Sequence, residues 1–164
     1  MTRRLLLFLS LVAPGAAVTQ SANAPYTRYA AAIATKADSV VGFLTSQVGN
    51  LTNESAVATL ATAAAQMKRL TDEFAGSEPP ADLAAVHRDL VATLTLAASK
   101  AEHAATLMQT AMDTSILDEQ RTTAAQTAQT ELNDLQTAIT SYDEARAQAA
   151  RVLQQHGATL PGRS

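Results

Sequence analysis

Residues 77–112 read SEPPADLAAVHRDLVATLTLAASKAEHAATLMQTAM, and this stretch decides the fold. Pro79 and Pro80 push the residue before them out of the helical region while being tolerated in a first turn, so a new helix is expected to open there. Beyond that opening, Leu83, Val86, Leu90, Leu94, Ala97, Ala101, Ala104, Met108 and Ala111 recur in steps of three and four. Sustained over more than four turns, this spacing is a coiled-coil-like seam and predicts a long amphipathic helix that needs neighbours along its length.

Working outward, two earlier blocks and one later block repeat the helical spacing. The first runs from about Pro25 to Val48 with Tyr26, Tyr29, Ile33, Ala37, Val40, Leu44 and Val48 on one stripe, and Gly49-Asn50 is its stop signal. The second runs from about Asn53 to Ala75, capped by Thr52 or Asn53, faced by Val57, Leu60, Ala64, Met67 and Phe74, and ended by Gly76. After Asp113-Thr114-Ser115, where Ser115 and Asp118 approximate a capping box, the last block carries Leu117, Ala124, Ala128, Leu132, Leu135, Ile139, Tyr142, Ala149 and Leu153. It stops at His156-Gly157. Short connections force antiparallel neighbours, so the expected fold is all-α, an up-down antiparallel four-helix bundle over residues 25–156 with longer third and fourth helices, followed by a disordered tail over 157–164.

The chain opens with a different pattern. Thr2-Arg3-Arg4 is a basic start, and Leu5 to Ala13 is an apolar run of nine residues, too short to cross about 30 Å of hydrocarbon as a stable anchor. It reads as a signal-peptide helix over residues 1–17, with an alternative end at Ala24, and residues 18–24 read as a flexible linker. Thr2 to Leu7 also resembles a twin-arginine export signal. The Pro79-Pro80-x-x-Leu83-x-x-x-His87-x-x-Leu90 opening resembles helix starts in assorted secreted bacterial proteins over about twelve residues and carries no site. Export to the periplasm, cell envelope or medium of a bacterium is the expected address.

Composition excludes several classes of function. The 164 residues hold no Cys, which removes disulfides, thiolate zinc, iron–sulfur clusters and covalently attached haem. There are 36 Ala and 21 Thr but no Trp, with three Tyr and three Phe, a helical composition with a thin core. Removing the signal leaves ten Lys plus Arg against fifteen Asp plus Glu, a net charge of −5, and the one adjacent basic pair beyond it is Lys68-Arg69. Nucleic acid is therefore not an expected partner.

Four-helix bundles often hold metals or haem, so the ligand spacings matter. Residues three before His87, His103 and His156 are Ala84, Lys100 and Leu153, so no Glu-x-x-His of the di-iron type occurs, and there is no His-Glu-x-x-His. Folding the second helix on the third about Ser77 places Met67 near His87, a thioether and imidazole pair of the kind Cu(I) accepts. A copper-binding or small-ligand periplasmic module is thus the alternative reading. The adjacent acidic pairs Asp72-Glu73, Asp118-Glu119 and Asp143-Glu144 diverge by about 100° on a helix and read as solvated surface. No catalytic residue and no resident cofactor are expected.

Length supplies the remaining clue. At about 1.5 Å per residue the first two helices reach roughly 35 Å and the last two roughly 50 and 60 Å, so with the register set near Ser77 everything from about His103 to Ala124 overhangs. That overhang contains Leu107, Met108, Met112, Ile116 and Leu117, the candidate interface residues, since an exposed apolar cluster on a soluble protein usually has a partner. A homo-oligomer or an envelope protein partner fits it. The expected function is structural or protein-interacting, not catalytic.

Overall fold

The computed structural model describes residues 24–47 and 54–160; the signal segment to residue 17, the linker residues 18–23 and the Gly49-Asn50 stop lie outside them, and Ala24, the alternative signal end, is the first residue described. Four helices follow one another: α1 (Ala24–Gln47), α2 (Glu54–Ala75), α3 (Ala84–Met112) and α4 (Asp118–Gln155). No strand occurs among the described residues. Each helix packs against the next, α1 also meets α4, and α3 with α4 form the most extensive pair. The result is the antiparallel bundle that the spacing predicts.

The seams close as the periodicity requires. Leu60, Met67 and Phe74 of α2, Leu90, Leu94, Ala97 and Ala101 of α3, and Leu132, Leu135, Ile139 and Tyr142 of α4 form one buried cluster with Ile33, Ala37, Val41 and Leu44 of α1. Alanine at so many of these positions lets the axes approach toward the low end of about 8–10 Å. On α1 the buried stripe includes Ala30, Ala34 and Val41, leaving Tyr26, Tyr29 and Val40 at its edge. The two tyrosines sit there because each phenol needs a polar partner. Tyr29 donates to the Glu73 carbonyl at 3.0 Å, and Tyr26 meets His87.

Threonine, a poor helix former, is accommodated by one recurring device. The hydroxyls of Thr35, Thr59, Thr62, Thr93, Thr95, Thr106, Thr122, Thr127 and Thr137 each donate to the carbonyl four residues earlier. Buried Thr71 does the same with Met67 at 2.8 Å, so no bare hydroxyl enters the core at that point.

Three local expectations are corrected. Pro79 and Pro80 do not open α3: residues 78–80 are irregular, 81–83 form a turn closed by Leu83 N–H to the Pro80 carbonyl at 2.9 Å, and the helix begins only at Ala84. Two successive residues without an N–H, the first restricting Glu78 and the second restricting Pro79, hold the chain extended. Ser115 does not cap α4; its N–H and hydroxyl both donate to Asp113, at 2.8 and 2.6 Å, and the helix is entered through Leu117, whose N–H donates to Gln120 Oε1. Leu117 is therefore not a core residue of the last seam: it stands in extended backbone before the helix and is 69% exposed.

At the far end of α4, Gly157 adopts φ +77, and its N–H and that of Ala158 donate to the carbonyls of Gln154 and Leu153. This is a Schellman stop, which only glycine enters without steric cost. It turns the chain back so that Ala158 and Leu160 bury against the core, and the free tail expected from residue 157 is replaced by a seated one through Leu160.

Candidate functional site

The later start of α3 sets the register. Phe74 and His87 face each other with ring centroids 4.5 Å apart, which fixes the level of α2 against α3. Counting equal rises from that contact brings Glu54 level with about Leu107. The overhang is thus shorter than a turn at Ser77 implies and begins near Met108 instead of His103. Its residues divide: Leu107, Met108, Met112 and Ile116 are half-buried, and Leu117 is exposed. Met108 and Met112 pack against the main core.

Beside this end runs a groove of about 970 Å³ between the first half of α2 and the last half of α3. One wall is the stripe Glu54, Ala58, Ala61, Ala65 and Lys68; the other is Glu102, Thr106, Gln109 and Asp113. All nine side chains are exposed, while Val57 and Ala105 are buried beneath them. Each wall repeats in steps of four and three, so each is a second helical stripe beside the one that faces the core. Met112 joins the groove to the overhang. Asp113 is held below the usual carboxylate range by the hydrogen bonds from Ser115, so the rim keeps its negative charge. A second groove of about 640 Å³ between α1 and α2 sets Lys36 and Arg69 against Asp72 and Glu73, charges that balance.

The titratable groups inside the bundle are committed to holding it together. Asp38 of α1 accepts from Tyr142 Oη at 2.9 Å and from Arg146 Nε at 2.7 and 2.8 Å, with a second guanidinium nitrogen 2.6 Å from its Oδ2. The two charged side chains are only 11% and 12% exposed, and hydrogen bonding to Asp38 raises the Arg146 pKa above its already high value. Between α3 and α4, Lys100 sits 2.7 Å from Asp134 and 3.0 Å from Glu131, and Glu131 also meets His103 Nδ1 at 3.1 Å. Hydrogen bonding, first to Asp134 and then to Glu131, raises the Lys100 pKa. His156, at the end of α4, lies 3.5 Å from Asp82.

His87 is buried against Phe74, and its Nδ1 lies 2.8 Å from the Tyr26 hydroxyl. Burial lowers the imidazole pKa and pushes the Tyr26 phenol up to about 12, so both groups are neutral near pH 7. One hydrogen bond joins them, the phenol donating when the ring proton is on Nε2 and accepting when it is on Nδ1. Met67 is fully buried seven residues before Phe74, about 10 Å along α2, so the structure places Phe74, not Met67, beside the imidazole. The thioether and imidazole singled out for copper are not brought together. Among the described residues no group of three or more His, Asp or Glu side chains is arranged to hold a metal ion.

Sequence reasoning locates the apolar end residues but misses the groove walls and the Asp38–Arg146 clamp. A usable signal for the clamp exists, because Asp38 follows Ala37 on the α1 stripe and a charge so placed must find a partner. The exposed Ala58, Ala61 and Ala65 likewise form a second small-residue stripe that one core does not require. Compared with protein-family models, with curated proteins and with solved structures, the chain matches none. No described helix is long and apolar enough to cross a membrane.

Proposed function

We propose that the chain is an exported bacterial helical-bundle protein that binds another polypeptide through the α2–α3 groove and the adjoining end of α3 and α4, and that it carries out no catalytic step. The observation that carries this reading is the groove itself: a channel of about 970 Å³ bordered by two exposed helical stripes and continuous with Met112. Such a channel between helices is the shape that receives a further helix. Leu117 at 69% exposure adds an apolar contact four residues beyond Asp113. The Asp38, Lys100 and His87 clusters support the reading from the other side, since their groups are turned toward one another and not toward a common cleft. Export rests on the basic start and the apolar run from Leu5 to Ala13.

The test is site-specific photo-crosslinking in cells that express the tagged chain, with the reactive group placed in turn at Ala61, at Leu117 and at Thr140, an exposed position on α4. Adducts of one discrete mass at Ala61 and Leu117, with none at Thr140, and recovery of the tagged protein in the envelope or medium, are expected. Adducts at all three positions or at none, or retention in the cytoplasm, reject the reading.

A further inference from the structure

We infer that two copies of this chain pair through the α2–α3 face, antiparallel about a twofold axis at Ala61, so that the occupant of the groove is a second copy. This rests on the interaction reading above and names the partner. Counting equal rises from the Phe74–His87 contact puts Glu102 level with about Thr59, in the same half of the groove as Glu54, and puts Asp113 about 9 Å beyond Glu54. Lys68 stands at the far end. Arg88 extends the α3 stripe past it: fourteen residues before Glu102, it falls within about 40° of the same face, is exposed, and makes no ion pair among the described residues. One half of the face is therefore acidic and its other end basic.

A face polarised in this way is complementary to its own copy turned end for end. With Ala61 on the axis, Lys68 of each copy comes level with Glu54 of the other, and Arg88 with Asp113, so each end of the interface carries two pairs of opposite charge. Asp113 is positioned by the hydrogen bonds from Ser115, and Lys68 can turn to a new carboxylate because its 3.7 Å pair with Asp72 is exposed. Copies laid parallel would set acidic half on acidic half, and a uniformly charged helix would oppose one end or the other, whereas the second copy meets both signs by symmetry. The area is adequate: Arg88 to Asp113 is about 37 Å of helix and two helices side by side are about 20 Å wide, which covers about 700 Å² of each copy, near the ~800 Å² of a stable interface. One approach is unfavourable, since the two Glu102 side chains stand only about 6 Å apart along the helices.

The test is sedimentation equilibrium of the tagged full chain purified from expressing cells, which is expected to show a mass rising to that of two chains and a dimer that weakens as salt is raised. Glu54→Lys alone and Lys68→Glu alone are each expected to weaken the dimer at least about tenfold, because each sets like charges together twice. Mixed in equal amounts, the two variants are expected to pair again, since every contact between them is then of opposite sign. Glu102→Gln is expected to tighten the dimer. The chain has no Cys of its own, so Ala61→Cys, which meets itself on the axis, is expected to give a disulfide-linked dimer under mild oxidation, and Thr140→Cys, exposed on α4, is not. A monomer at every concentration from micromolar to millimolar overturns the inference. So does a dimer that the single reversals leave unchanged, a mixture that fails to pair, or equal linkage at the two cysteine positions. If photo-crosslinking at Ala61 and Leu117 captures a chain of another mass while this chain sediments as a monomer, the interaction reading stands without the second copy; if crosslinking fails, that reading falls on its own evidence.

Discussion

Asp38 takes a carboxylate to a position where water is scarce, and its oxygens accept hydrogen bonds from Arg146 and Tyr142. Such a pair adds little net stability when intact, but removing one member strands the other charge, at a cost of about 3–5 kcal/mol. Asp38→Ala is accordingly expected to lower stability by about that amount in urea unfolding, and Tyr142→Phe by about 1.5–3 kcal/mol through loss of one hydrogen bond to a charged group. His87 gives a pH dependence of definite sign. Its folded pKa lies below the ordinary 6.5, so between the folded and unfolded values the unfolded chain binds more protons. Stability is therefore fully present above about 6.5 and falls on acidification through the lowered pKa. His87→Gln, whose amide can still hydrogen-bond Tyr26 and does not titrate, is expected to flatten this part of the melting-temperature profile; an unchanged slope would assign the acid sensitivity to other groups. At the alkaline side, absorbance titration is expected to find one phenol, Tyr26, ionising near 12.

At the scale of the helix, ends and faces differ in how plainly the sequence states them. Apart from the entry to α4, which comes at Asp118 and not directly after Ser115, the start of α1, both bounds of α2 and the end of α4 fall within about a residue of the expected positions, because Gly76 and Gly157 and the stripe periodicity mark them. The start of α3 does not, since Pro79 and Pro80 satisfy two rules at once: proline suits a first turn, yet a proline pair also keeps its predecessors extended. Here the second rule prevails, and the chain enters the helix only after the turn in which Leu83 bonds back to Pro80. That delay carries the groove with it, because which residues of α2 face which of α3 depends on where α3 begins. The apolar residues at the bundle end are readable from helix lengths alone, whereas the acidic rim is readable only once that register is known. The methionines offer a check at this scale. Met67 is fully buried and Met108 and Met112 are half-buried, so dilute peroxide is expected to oxidise Met112 and Met108 well before Met67 when followed by mass spectrometry. Equal rates would contradict the described packing. Gly157→Ala, which forces a side chain into φ +77, is expected to cost about 1 kcal/mol and to loosen Ala158 and Leu160 together.

Across the whole molecule the four helices are unequally held. The α3–α4 pair shares a long interface reinforced by Lys100, Glu131 and Asp134, while α1 lies mainly on α2 and touches α4 over a short stretch. Much of what fixes α1 is polar: Tyr26 to His87, Tyr29 to the Glu73 carbonyl, and Asp38 to Arg146. Amide hydrogen exchange is expected to follow this ranking, with α1 losing protection first and the middle of α3 and α4 last. The clamp also imposes an order in time. Asp38 and Arg146 are 108 positions apart, and a ribosome works from the N-terminus, so the first helix is made long before the arginine that fastens it. Until the last helix is nearly complete, α1 can rest on α2 but has nothing to lock into, and a chain cut short before residue 146 keeps that latch open.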